Sequence, residues 1–158
     1  MKYNYQILIE YDGINFVGWQ HQKNGVSVQE TIEKNLKKIL KKNIRILGAG
    51  RTDKGVHALG QSANFFIDKR IEDKKKFINS INFFLRKYLI SIIDIKEKKL
   101  SFNSRYDAKE RVYEYKIINR GSNLVLNNSY ENKRYFTKIN RGGNKFIFYQ
   151  KYKFFFKV

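Results

Sequence analysis

Among its 158 residues the chain has no cysteine and no proline, one tryptophan, one methionine and two histidines. The missing cysteine excludes disulfides, thiolate zinc sites and a cysteine nucleophile. No apolar run approaches the ~18 residues that a membrane-spanning helix needs. Met1-Lys2-Tyr3-Asn4 leads straight into a strand-like alternation, not into the apolar core of a signal peptide. The expectation is a soluble, cytoplasmic protein with no membrane partner. Acidic residues are also scarce, with 14 Asp and Glu against 33 Lys and Arg, for a formal net charge of +19. Such an excess has two readings. It suits a polyanion or a charged lipid surface, because self-repulsion otherwise opposes compactness. It also suits AT-rich coding, which favours Lys and Asn and accords with the zero prolines.

What is present organises into one domain's length of chain. Tyr3, Tyr5, Ile7 and Ile9 alternate with less apolar neighbours and read as a half-buried strand that Asp12-Gly13 ends. A polar loop holding Trp19, Gln20 and His21 follows. Ser27-Val28-Gln29-Glu30 has the form of a capping box, and Val28, Ile32, Leu36, Ile39 and Leu40 share one face of the helix it opens. Ile44 to Leu47 predict a short strand, Gly48 to Gly60 a glycine-punctuated loop, and Ala63 to Ile67 another strand. Glu72 and Asp73 stand where a second helix starts, with Phe77, Ile78, Ile81, Phe84, Leu85 and Tyr88 as its apolar face. Ile90 to Ile95 predict a further strand, and Arg111 to Ile118 alternate again. This order of elements predicts an α+β fold of the ferredoxin-like, split βαβ type, with helices on one face of an antiparallel sheet.

The chain divides at residue 126. From Asn127 to Val158 it contains no Leu, no Ala and no Asp, and neither a helical nor a strand period organises it. An ordinary but biased tail is one reading. The other is a segment read from a shifted frame, or a truncation, that replaces the genuine continuation.

The densest cluster of chemistry-bearing residues is Gly48-Ala49-Gly50-Arg51-Thr52-Asp53-Lys54-Gly55-Val56-His57-Ala58. Glycines here admit unusual backbone shapes and let a ligand approach the main chain. A carboxylate can act as nucleophile or general base, and a neighbouring arginine favours its charged form. That arginine can also hold phosphate or stack on a base. By composition alone a tight turn with an Asx cap fits equally well. The loop is neither a dinucleotide fingerprint nor a P-loop, because the final glycine and the Gly-Lys-Ser/Thr ending are missing. Asp53 and His57 lack the third ligand that a histidine–carboxylate metal site recruits, so no metal is expected.

Gly50-Arg51-Thr52-Asp53-Lys54-Gly55-Val56-His57-Ala58 with Gly60-Gln61 resembles the G-R-T-D-x-G-V-H-x-x-G-Q signature of the tRNA pseudouridine synthase A family. Glu10-Tyr11-Asp12-Gly13, Phe16, Gly18-Trp19-Gln20 and Gln22 are similar to the family's opening, and Ser27 to Glu30 to the start of its first helix. Phe102-Asn103-Ser104-Arg105-Tyr106-Asp107-Ala108 and Arg111-Val112-Tyr113-Glu114-Tyr115 resemble its F-x-x-R-x-x-A and R-x-Y-x-Y segments. The likeness covers about residues 1 to 126 and makes that stretch a candidate catalytic N-terminal subdomain.

The resemblance implies an isomerase that converts uridine to pseudouridine at positions 38–40 of the tRNA anticodon stem-loop, without a cofactor. It implies Asp53 as nucleophile or base, Arg51 paired with it, and Tyr113 stacked on the uracil and assisting removal of the C5 proton. By its residue type alone, Tyr113 is more readily a core-facing strand tyrosine. Thr52, Lys54, Gly55, His57, Gln61 and Arg105 become candidate substrate-binding residues. Lys54 stands where the family more often carries a small residue, and His57 is as readily structural as an RNA contact. Lys37-Lys38, Lys41-Lys42 and Lys74-Lys75-Lys76 could neutralise tRNA phosphates, or simply be solvated helix faces. The family forms homodimers around the anticodon arm, and a second ferredoxin-like half completes its active-site wall. The other reading is a catalytically dead RNA-binding fragment of such an enzyme.

Overall fold

The computed structural model describes residues 1–110, 114–119, 136–139 and 145–151. Its first sheet is built from β1 (Tyr3–Tyr11), β2 (Ile46–Gly48), β3 (Ala58–Ile67) and β4 (Ile90–Lys98), with α1 (Val28–Leu40) and α2 (Lys74–Leu85) intervening. The strand order is β2-β3-β1-β4, and every neighbouring pair is antiparallel. Chain order and sheet order together give the expected split βαβ, ferredoxin-like α+β arrangement.

Alternation decides which face is covered. Tyr5, Ile7, Ile9 and Tyr11 point to one side of β1 and are at most 2% exposed. Val28, Ile32 and Leu36 of α1, and Phe77, Ile81 and Leu85 of α2, close the same core. Ser27 caps α1 by accepting from the Glu30 amide, and Asp73 caps α2 by accepting from the Lys76 amide. The opposite face of the sheet is polar. There Asn4, Gln6, Ser62 and Asn64 form a buried network with the segment after β4, in which the Ser104 amide donates to Asn64 Oδ1 at 2.9 Å.

Three expectations need correction. The strand predicted from Ala63 begins at Ala58, so Ala58, Leu59 and Gly60 belong to β3 and not to the end of a loop. The cause is pairing: β1 continues past an irregularity between Ile9 and Tyr11, and Tyr11 still finds Ala58 as partner. Trp19 is not a polar-loop residue but core, 2% exposed, with its indole lying over Gly48. The tail is not without strands. A second sheet, β5-β7-β6, joins β5 (Glu114–Asn119), β6 (Phe136–Ile139) and β7 (Lys145–Lys151). The unbroken Phe146-Ile147-Phe148-Tyr149 run hides a period-two signal behind uniformly strand-favouring residues. Among the described residues no helix is long and apolar enough to cross a membrane.

Candidate active site

The loop between β2 and β3 is held from three sides, which leaves Asp53 exposed together with Arg51 and Lys54. Asp53 forms an isolated antiparallel bridge with Gly18, and the Trp19 amide donates to the Thr52 carbonyl at 3.0 Å. Gly18 has φ 127° and lies so close that a Cβ would sit 2.6 Å from the Thr52 carbonyl oxygen. Only glycine meets both conditions. Beyond Asp53 the chain reverses: the Val56 amide donates to the Asp53 carbonyl at 3.2 Å, with Gly55 at φ 80° in the third position. That is the type II turn, which requires a positive φ there. Lys54 is its exposed tip. The Gly55 amide is tied in turn to the Phe16 carbonyl at 3.3 Å.

Side chains fix the loop from behind. Thr52 is 7% exposed, and its hydroxyl meets the Tyr11 hydroxyl at 2.8 Å inside the protein. Burial pushes the Tyr11 hydroxyl well above its ordinary pKa, against a smaller downward pull from the Thr52 hydrogen bond. Gln61 is fully buried and donates from Nε2 to the Gly50 carbonyl at 2.6 Å, while its Oε1 has no protein partner. Thr52 and Gln61 therefore enter the site as supports of the loop, with their polar atoms turned inward.

His57 is anchored by Asp12, at the end of β1. Its Nδ1 lies 3.0 Å from Asp12 Oδ1, with the two side chains 19% and 13% exposed. The Gly13 amide also approaches Nδ1, at 3.4 Å. The two contacts demand opposite protonation of one nitrogen. The contact to Asp12 is the shorter and has a carboxylate as acceptor, which favours the form with the proton on Nδ1. Asp12 is itself held, since Oδ1 accepts from the Ile14 amide and its own amide donates to the Leu89 carbonyl. An aspartate immediately before a glycine, three residues after the core-facing Ile9, carries no local sequence signal for this contact.

Arg51, Asp53 and Lys54 are all exposed. The expected Arg51–Asp53 ion pair does not occur among the ion pairs of the described residues. Both cations thus flank an outward carboxylate without neutralising it, a surface suited to the sugar–phosphate of a nucleic acid. Arg105 lies in an exposed turn anchored through the Ser104 hydroxyl to Ser62 of β3, which also accepts the Ala49 amide. Its guanidinium sits 5.9 Å from the Tyr106 ring centroid. Arg105 is so brought to the strand that borders the loop. Tyr113 lies outside the described residues. Among the described residues no group of three or more His, Cys, Asp or Glu could hold a metal ion.

Residues 7–107 match the family model described as tRNA pseudouridine synthase. The chain is 48% identical over 124 residues to tRNA pseudouridine synthase A of Pelagibacter ubique, covering 78% of this chain and 50% of that protein. It is 45% identical over 125 residues to the protein of the same name from Ehrlichia ruminantium, covering 77% and 50%. Against the Caldicellulosiruptor saccharolyticus protein of that name, the identity is 47% over 116 residues, covering 73% and 47%. The chain spans about half the length of the curated relatives it matches. A family match that contains the whole fixed loop, from Gly48 to Gln61, and the strands that hold it leaves one conclusion: the chain belongs to the tRNA pseudouridine synthase family.

Proposed function

We propose that this chain carries the carboxylate-bearing half of a tRNA pseudouridine synthase site and acts on uridines of the anticodon stem-loop. The observation that carries the reading is Asp53: outward, between two exposed cations, on a loop whose backbone and buried side chains are fixed on every other side. Such a loop meets the demand of preorganisation, because the reacting carboxylate need not be ordered when substrate arrives.

The reaction breaks the N1–C1′ bond of uridine, turns the freed uracil and joins C5 to C1′. The proton on C5 leaves and N1 gains one, so substrate and product are isomers and no redox equivalent is consumed. Asp53 serves as nucleophile or base at the sugar or uracil. Arg51 is available to a phosphate or to the place vacated by the flipped uridine, since the base must leave its stack to be reached. Tyr113 stacks on the uracil, and Lys54, His57 and Arg105 face the RNA. The reading includes a cytoplasmic setting and a homodimer.

The test is tritium release from tRNA labelled at C5 of its uridines, comparing this chain with Asp53→Ala. Release that depends on Asp53 is expected. Equal release by both proteins would end the assignment of Asp53.

A second reading is favoured by one observation, that the chain spans about half the length of its relatives. In that reading the chain binds RNA without turning it over. Soluble, tRNA-binding protein that releases no tritium would select it.

A further inference from the structure

Helix α2 has an outer face that the core does not use. Phe77, Ile81 and Leu85 point inward, four residues apart, which leaves Lys75, Lys76, Asn79, Phe83 and Arg86 on the solvent side. Phe83 is 62% exposed, although a phenylalanine there gains nothing from folding. It stands edge-on to Phe84, with ring centroids 5.3 Å apart. The Arg86 guanidinium lies 5.1 Å from the Phe83 ring and Lys38 Nζ lies 5.7 Å from the Phe84 ring. Beside these rings runs an open groove of about 650 Å³, lined by Lys75, Lys76, Asn79, Ser80 and the two phenylalanines. The carboxylate in this groove, Asp73, is turned to its own helix, where Oδ1 accepts from the Lys76 amide at 2.8 Å. Among the described residues, Lys75, Lys76 and Arg86 have no carboxylate in ion-pair range.

The face also has a place in the molecule. The turn that follows α2 ends at Leu89, whose amide donates to the Arg86 carbonyl and whose carbonyl accepts from the Asp12 amide. Asp12 is the residue that holds His57 in the candidate active-site loop. The Arg86 end of the stripe therefore abuts the catalytic end of the domain, and the Lys76 end leads away from it.

We infer that this stripe of α2 is a second RNA-binding surface, on which one unstacked base lies against Phe83 while Lys75, Lys76 and Arg86 hold the adjoining phosphates. The inference rests on the reading that the chain binds tRNA, and adds to it a surface outside the loop. Lys76 to Phe83 spans about 10 Å of helix, on the order of three nucleotides of strand. Alternating cations and an aromatic face are what a single strand of RNA requires: charge for the backbone, a ring for the base. A second copy of this chain is a poorer occupant. A two-fold contact would set these cations against their own copies, and interface cores are depleted in charge.

The experiment measures binding of an unmodified tRNA transcript by fluorescence anisotropy across a salt series, for the full chain and four variants, with circular dichroism on each. Phe83→Ala should weaken binding about ten-fold, the loss of one base–aromatic stack. Phe83→Trp should bind at least as tightly as the parent chain. Lys76→Gln should lower the salt slope by about one. If the parent chain binds tRNA and Phe83→Ala, Phe83→Trp and Lys76→Gln all bind identically to it, the surface is not used and the inference falls. If Phe83→Leu retains full affinity, the contact is not stacking, and it falls equally. An unchanged affinity with Phe83→Ala converting a dimer to a monomer in sedimentation would give the face to a second copy instead. No tRNA binding by the parent chain would overturn the functional reading itself, and this inference with it.

Discussion

The hydroxyls of Tyr11 and Thr52 meet at 2.8 Å in the interior, directly behind the exposed Asp53. The contact ties the middle of the candidate catalytic loop to the end of the central strand. Tyr11→Phe leaves the buried Thr52 hydroxyl without this partner, and should cost about 1–2 kcal/mol by urea unfolding. Thr52→Val alone leaves the tyrosine in the same position. The double variant, with neither polar atom stranded, should lose less than the sum of the two singles. Strict additivity would mean that the hydrogen bond contributes nothing.

The same tyrosine sets an alkaline limit. Its ordinary pKa is 10.0, and burial raises it in the folded chain. Below about 10 both folded and unfolded forms keep the proton, so the contribution is fully present. As pH rises further the unfolded form ionises first, and stability falls until the folded value is passed. Removing this group should therefore flatten the decline by up to about 1.4 kcal/mol per pH unit. Unfolding curves of the parent chain and Tyr11→Phe, taken on both sides of the ordinary value, give the comparison. Identical alkaline slopes would show that Tyr11 ionises as readily folded as unfolded.

Gly55 tests the turn that presents Asp53. At φ 80° an alanine side chain is strained by about 1–2 kcal/mol, so Gly55→Ala should lower thermal stability by that order. Gly55→Asn should cost less, because asparagine tolerates the left-handed region. If the turn orients Asp53, tritium release should fall further in the alanine variant than its lost stability explains at a temperature where both proteins are folded. Alanine and asparagine variants that behave alike would show that the turn is not of this type in solution.

The fold was legible where one period ran uninterrupted. Tyr3 to Ile9 alternates cleanly, Ser27 and Asp73 cap as their side chains require, and the apolar spacing of both helices marks the core face. The start of β3 was not legible, because Ala58-Leu59-Gly60 has the composition of a loop and becomes strand only through its distant partner Tyr11. The candidate site was legible as a sequence of residue types, from Arg51 to His57. Its supports were not. That Trp19 is core, that Tyr11 reaches Thr52 and that Asp12 reaches His57 are facts of tertiary contact between segments distant in sequence, and no local pattern encodes them. Strand β7 of the tail was not legible for the opposite reason, since a run as uniformly apolar as Phe146 to Tyr149 carries no contrast from which to read a period.

Asp12 should control the state of His57. With Nδ1–H donated to Asp12, neutral His57 is held in the tautomer that leaves Nε2 as an acceptor. Long-range proton–nitrogen correlation of the imidazole at a pH where it is neutral should show a single tautomer in the parent chain. Asp12→Asn should shift the balance toward the other, because an amide nitrogen facing Nδ1 prefers it unprotonated. Both side chains are mostly buried, so Asp12→Ala should also cost about 1.5–3 kcal/mol of stability. An unchanged nitrogen spectrum in Asp12→Asn would mean that the contact does not orient the ring.

Gln61 separates a support from a substrate contact. Its Nε2 holds the Gly50 carbonyl at 2.6 Å, while Oε1 is buried without a protein partner. Gln61→Leu removes both atoms at once: it strands a carbonyl that is only partly buried and relieves an acceptor that had nothing to accept. These effects oppose each other, and the net cost should stay under about 1.5 kcal/mol. Gln61→Glu is the harsher change. A buried carboxylate would face the Gly50 carbonyl oxygen, acceptor against acceptor, with no cation recorded beside it. Its stability should fall by about 3 kcal/mol or more near neutral pH, and recover as the pH is lowered and the carboxyl protonates. Thermal melts and tRNA affinity measured on the same two variants distinguish the roles. A support gives a stability order of parent, Leu, Glu, with affinity preserved wherever the chain is folded. A residue that touches RNA would give weaker binding in Gln61→Leu with stability unchanged, and would require the loop to open far enough to expose it.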